Sequence, residues 1–277
     1  MKYVIYDTET TGLNPLNSFI LSIGSICVDD NNILDYLNSI KKDNNNDVEE
    51  IKVDKWGHPE IIVNDKYEFH KFLNWFDLNN NFNIPEDTIK VHGLTEDYIK
   101  NNGFNPTNVF EEYSDFLKDR IGDDEVCFVA FNEPYDLNMF VANLKHILNI
   151  FNSRGETNDK ILYLLNLLTN RKSYIIDNLI IDRILHFEVD GVKVRHDLQS
   201  VGIRYGFDKD INAHDALSDS KRTILVWNQQ LKELKEYGLE INHDFEGRLK
   251  RAYDKYSAKF SSRRQLDYFA ENMEATR

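Results

Sequence analysis

Residues 1–15, MKYVIYDTETTGLNP, decide the fold. Residues 2–6, KYVIY, are β-branched and aromatic and read as a strand. Alternate residues of a strand share a face, so Tyr3, Ile5, Asp7 and Glu9 lie on one side. The backbones of Asp7 and Glu9 are then roughly 7 Å apart. Two like charges at the end of a buried strand repel, and both lose hydration unless something positive compensates them. A divalent cation is the natural compensator, because hard metals prefer carboxylate oxygen. Read by itself, the pair is explained as well by a strand running out into the polar turn TETTGLNP.

Outward from this stretch, residues 19–28 (FILSIGSICV) and 33–40 (ILDYLNSI) read as further strands, joined at Asp29–Asn32 by a hairpin turn. Residues 41–66 are polar and rich in Asn and Asp, the pattern of a loop excursion or a small inserted hairpin. Apolar residues return over Tyr67–Phe76. The spacing predicts helices over Thr95–Lys100 and Pro106–Arg120, the latter with Pro106 in its first turn. Residues 126–131, VCFVAF, are apolar throughout, as a strand covered on both faces must be. A helix is expected from Pro134 to Ile150, a surface loop over 152–160 and a short helix over Ile161–Leu168. A last strand at Tyr174–Ile176 leads into a helix reaching Phe187. Helices are also expected over Asp197–Tyr205 and from Ala213 to Tyr237. The charged tail, 244–277, carries Phe245, Leu249, Tyr253, Tyr256 and Phe260 at helical spacing. Three strands followed by alternating helices and strands make an α/β domain with a mixed sheet.

Two later acids break apolar stripes. Asp136 shares a helical face with Phe140, Leu144 and Ile147. A helix-start acid that favours the dipole is the plain alternative. Asp219 shares a face with Ala216, Thr223 and Trp227, spaced three, four and four. Asp215, one turn earlier, competes with Asp219, although its position also suits a helix cap. His214 is five residues before Asp219 and reaches the same pocket only from the helix entrance. Each feature alone is weak. Together they place an acid pair on the first strand, an acid after a central strand, and an acid with a histidine on a late helix. That convergence is what a two-metal phosphodiesterase requires.

The segments DTETTGLNP, VHGLT, AFNEPYD and HDALSD, in this order, resemble the motifs of the DEDDh (DnaQ-like) 3′→5′ exonucleases, which include proofreading subunits of bacterial replicative polymerases and several RNA-trimming enzymes. The resemblance covers residues 1–230. It implies a ribonuclease H-like mixed five-stranded sheet flanked by helices, with insertions near 41–66 and 152–172 and a helical C-terminal extension over 231–277. Asp7, Glu9, Asp136 and Asp219 would be metal ligands for two divalent ions, Mg²⁺ or Mn²⁺, and His214 the general base. Substrate contacts would fall on Thr8, Thr10, Gly12 and Leu13, with Leu13 wedged against the last base. His92, Phe131, Asn132 and Tyr135 would lie near the substrate. The chain departs from the family where Phe131-Asn132 stands for His-Asn, Tyr135 for Phe, and Glu133-Pro134 for small residues. These changes alter the pocket wall.

The implied reaction releases nucleoside 5′-monophosphates from single-stranded 3′ ends, DNA before RNA. The partners would be nucleic acid with a free 3′ end and a DNA polymerase or another replication or repair protein. An exoribonuclease using the same site, a polymerase-associated module with a silent site, and an acidic interaction protein built on the tail are the alternatives. The net charge of −14 is opposite in sign to that of a protein that tracks along duplex phosphates. It does not oppose an enzyme that holds a few terminal nucleotides with metal ions. No apolar run approaches the roughly 20 residues of a membrane span. Acids interrupt the N-terminus where a signal peptide needs an apolar stretch. A cytoplasmic protein is expected, in the host cytoplasm if virus-encoded. Cys27 and Cys127, each inside an apolar run, are expected as buried, reduced thiols.

Overall fold

Strand β1, Lys2–Thr10, lies at the centre of a five-stranded sheet of order β3-β2-β1-β4-β5. The computed structural model describes residues 1–43, 63–76, 78, 82–170, 174–186, 188–189, 192–207 and 214–236. β2 (Ile20–Asp29) pairs antiparallel with β1 and with β3 (Glu68–Phe72). β4 (Val126–Ala130) and β5 (Tyr174–Asp177) add in parallel on the other side. This is the mixed, ribonuclease H-like sheet that the motifs imply.

Alternation along β1 sends its side chains into two cores. Val4 and Tyr6 pack with Phe128, Phe110, Tyr113 and Phe140, under α4 (Pro106–Ile121), α5 (Glu133–Ser153) and α6 (Asp159–Thr169). Ile5 packs on the opposite face with Cys127, Val129, Leu217, Ile224 and Trp227, under α1 (Ile33–Asp43), α7 (Asn178–Leu185) and α9 (Ala216–Glu236). Cys27 and Cys127 are both buried, and neither is in a disulfide.

The strand expected over 33–40 is instead helix α1. Ile33, Tyr36, Leu37 and Ile40 are spaced three, one and three, and Tyr36, Leu37 and Ile40 are buried while Leu34 is 66% exposed. That is a helical stripe, and the third strand of the sheet comes later, from the aromatic stretch at 68–72. Asp29 therefore starts a helix rather than a hairpin: its Oδ1 accepts from the N–H groups of Asn31 and Asn32. The VHGLT segment is a joint between two short helices. α2 (Glu86–His92) stops on Gly93 in the left-handed region, and Thr95 caps α3 (Glu96–Asn102) by accepting from the Tyr98 N–H at 3.1 Å. A small hairpin, β6 (Glu188–Val189) with β7 (Val192–Lys193), precedes α8 (Leu198–Arg204). Among the described residues no helix is long and apolar enough to cross a membrane. The expected tail helix, and residues 44–62 of the expected excursion at 41–66, lie outside the described residues.

Candidate active site

Asp7 and Glu9 occupy the carboxyl end of β1 on the face covered by α9. Opposite Asp7 in the ladder is Gly24. A Cβ on Gly24 would lie 2.1 Å from the Ala216 carbonyl carbon and 2.2 Å from the Leu217 nitrogen. Only a glycine lets the first turn of α9 come this close. The Ser220 hydroxyl donates to the Gly24 carbonyl at 3.0 Å and fixes the contact. Asp219 is thereby delivered to Glu9. Donor atoms of Glu9, His214 and Asp219 all lie within 4.8 Å of one another.

Asp136 arrives from the opposite face of the sheet, on the first turn of α5. Thr8 points to that face, and its hydroxyl donates to Asp136 Oδ1 at 2.7 Å. Asp136 is 2% exposed, Glu9 8% and Asp219 8%. Burial pushes all four acids up, and neighbouring carboxylates add to the rise. Asp7 is raised well above its ordinary value by burial and then by the charges of Asp136, Asp219 and Glu9. Glu9 is raised by burial and by Asp219, Asp215 and Asp136. Burial raises Asp136 to about 7 against the Thr8 hydrogen bonds, and raises Asp219 to about 7 against the Arg222 charge. Two faces of one sheet thus focus their acids on one edge. Hard oxygen donors crowded together at a cost in free energy suit a divalent cation.

Asp219 also has protein partners. Arg222, buried on the next turn, donates to Oδ1 at 3.0 Å, and the His214 backbone N–H donates to Oδ2 at 3.1 Å. An ionised carboxylate has about four acceptor sites, so both oxygens keep capacity for a ligand. His214 sits at the helix entrance with φ 66°. Burial, followed by the Arg222 charge, lowers its pKa below the ordinary 6.5. Asp215, the competing acid, caps α9: its Oδ1 accepts from the Ser218 N–H at 2.8 Å. Its Oδ2 faces His70 Nε2 on β3 at 3.4 Å.

The sequence-predicted substrate residues fall into four places. The Thr10 and Tyr135 hydroxyls meet at 2.5 Å and lie 2.9 and 3.1 Å from the Gly12 carbonyl, so that one donates to the carbonyl and the other to its neighbour. This clamp holds the turn that carries Leu13, which is 84% exposed. Phe131 and Asn132 form the link from β4 to α5. Asn132 is in the left-handed region, and its N–H donates to Asp177 Oδ1 at 2.9 Å. His92 is buried at the end of α2, where its Nδ1 accepts from the Leu94 N–H at 3.0 Å. The Thr8 hydroxyl is committed to Asp136.

Sequence reasoning missed Gly24, Arg222 and His70, and read Glu133 only as a change in the pocket wall. Glu133 is buried behind Asp136 and accepts from the Tyr6 hydroxyl at 3.3 Å. Only Gly24 carried a signal, as a glycine inside a strand.

A family model described as exonuclease, RNase T, matches residues 4–227. The chain belongs to this exonuclease family. No curated protein matches the chain. Among solved structures, the nuclease domain of 3'hExo, a DEDDh family member bound to rAMP, aligns with a TM-score of 0.53 at 14% identity, over 87% of this chain and 96% of that one. The zinc-bound complex of E. coli ExoI with single-stranded DNA aligns with a TM-score of 0.52 at 13% identity, over 86% of this chain and 43% of that one. A second exonuclease I structure aligns at 0.51 and 14% identity, over 85% and 42%. The exonuclease described here spans less than half the length of exonuclease I. At these identities the likeness is one of fold.

Proposed function

We propose that this exonuclease hydrolyses nucleic acid from free 3′ ends, in the 3′→5′ direction, and releases nucleoside 5′-monophosphates. The observation that supports this best is the grouping of Glu9 from β1, Asp219 from α9 and His214 within 4.8 Å of one another at the carboxyl end of β1, with Asp7 and Asp136 near enough for their charges to act among the same acids. These four carboxylates would hold the divalent ions, Mg²⁺ or Mn²⁺, two in number in this proposal. Bound there, such ions neutralise phosphate charge and acidify water.

The protein side of the reaction follows from the residues. Water attacks the terminal phosphorus, the bond from phosphorus to the 3′ oxygen breaks, the water proton passes to the His214 ring, and the departing 3′ oxygen takes up a proton from solvent to leave a 3′ hydroxyl on the shortened strand. A ring whose pKa is held below 6.5 is neutral at pH 7 and free to accept that proton. Asp219 accepts from the His214 backbone, so ligand and base share one rigid turn. Leu13, exposed above the site, would press on the terminal base, and an apolar surface accepts any base.

Single-stranded DNA is the first substrate proposed, in line with the DNA held by exonuclease I. An RNA strand is the second, in line with the rAMP held by 3'hExo. A polymerase or repair partner rests on the motif resemblance alone.

Strands of one sequence in DNA and RNA, labelled at the 3′ or 5′ end, test the proposal. Mononucleotide release from the 3′ label should require Mg²⁺ or Mn²⁺ and should fall by at least about a thousandfold in Asp7→Ala, as loss of a transition-state charge contact does. Undiminished release by Asp7→Ala would reject the assignment.

A further inference from the structure

His214 is a non-glycine residue held at φ 66°, a conformation that persists only when the surroundings impose it. One restraint is its own N–H on Asp219 Oδ2. The other acts through the next residue. Asp215 has its backbone carbonyl on the Asp219 N–H at 2.8 Å and its Oδ1 on the Ser218 N–H at 2.8 Å. Its remaining oxygen, Oδ2, faces His70 Nε2 at 3.4 Å.

His70 is well placed to act as an anchor. Its side chain is 5% exposed, and that of Asp215 is 16%. Its Nε2 is also 3.1 Å from the Ser22 hydroxyl, and its ring stands edge-on to Phe72 at 4.9 Å between centroids. In the sheet register Asp7 faces Gly24 and Gly24 faces His70, while Glu9 faces Ser22. The ring therefore shares the face and the level of the acids.

We infer that His70 is a positioning residue for His214: from β3 it grips Asp215 and fixes the turn that carries the base. The inference rests on the exonuclease proposal for its kinetic consequence and on geometry for its structural one. A base misplaced by about 1 Å costs on the order of a hundredfold in rate. Losing one of several restraints should cost less.

The test uses the full chain with His70→Ala, His70→Gln, Asp215→Asn and the double variant His70→Ala/Asp215→Asn. Gln keeps a nitrogen donor at similar reach, and Asn keeps the cap on Ser218. His70→Ala should lower kcat about tenfold with KM unchanged, and His70→Gln should recover most of it. The double variant should lose no more than the worse single one, as coupled residues do. Amide exchange followed by NMR reads the positioning without any activity. His70→Ala should speed exchange at His214 and Ser218 while leaving Ile5 on β1 unchanged. Unchanged exchange at those two amides would overturn the inference whatever the enzyme hydrolyses. Equal kcat losses in Ala and Gln, or additive losses in the double variant, would overturn it as well. Faster exchange in a protein inactive on every strand would uphold the positioning and reject the exonuclease proposal instead.

Discussion

Gly24 sets the separation of β2 from α9, and so the separation of Asp219 from Glu9. A methyl group there would stand 2.1 Å from backbone. Neither partner is a flexible side-chain end, so the strand or the helix must move. Gly24→Ala should destabilise the fold by about 3 kcal/mol and weaken cation binding, read by denaturant unfolding and calorimetry. A loss under about 1 kcal/mol would contradict the contact. Tyr135 acts more locally, through its bond to the Gly12 carbonyl at 3.1 Å. Tyr135→Phe should raise KM several-fold and leave kcat within about twofold, because it loosens the Leu13 turn without touching the acids. A fall in kcat with KM unchanged would contradict that role. The acids themselves were legible because each interrupts an apolar stripe. Asp136 and Asp219 stand where a hydrophobic residue belongs, and both prove buried. Arg222 was not legible, since an arginine three residues after an acid is equally common as a surface pair. Its value comes from burial and from Gly202, whose missing side chain leaves the Arg222 stem room at 3.1 Å.

Among the elements, α1 shows where a local turn signal misleads. Ile33, Tyr36, Leu37 and Ile40 fall at i, i+3, i+4 and i+7, the helical period, and the strand expectation follows the hairpin turn read at Asp29–Asn32 instead of that spacing. The choice is made by what lies above the sheet: Tyr36 reaches Glu68 on β3 at 2.7 Å across the top of β2. The helices and strands that carry the site had longer, cleaner periods and were legible for that reason. The ionic tie between α7 and α8 had no sequence signature. Asp182, fully buried on α7, accepts from Arg204 with both oxygens at 2.6 Å and contacts His196 Nδ1 at 2.6 Å and His186 Nδ1 at 3.3 Å. Despite the opposing effect of burial, these partners hold its carboxyl at about 2. The tie braces α8, which in turn backs Arg222. Asp182→Asn should cost about 3 kcal/mol, because it leaves the part-buried Arg204 without its counter-charge at a fully buried position. Urea unfolding measures this, and a cost below about 1 kcal/mol would reduce the network to a surface-like pair.

At the scale of the whole molecule, charge is concentrated where the fold can least tolerate it. The net charge is −14, and four acids share one edge of the sheet. Asp136 and Asp219 rise from 3.8 to about 7, and Asp7 and Glu9 rise further than their ordinary range. A group whose pKa is raised by folding binds its proton more tightly in the folded state. The resulting stability is complete below the unfolded value and is lost as pH rises through the folded one. Without cations the protein should therefore melt at a lower temperature at pH 8 than at pH 5, and Mg²⁺ should raise Tm more at pH 8. Scanning fluorimetry in EDTA and in Mg²⁺ reads both effects, and a Tm that stays flat or rises with pH in EDTA would contradict the crowding. In the proposed site, acids from opposite faces of the sheet serve one cation centre. Calorimetric titration of Mn²⁺ into the parent protein, Glu9→Gln and Asp136→Asn tests it most directly. Both substitutions should weaken the same binding event by at least about tenfold, as loss of a charged ligand does. Mn²⁺ binding by Asp136→Asn that matches the parent would show that the two faces do not share a centre.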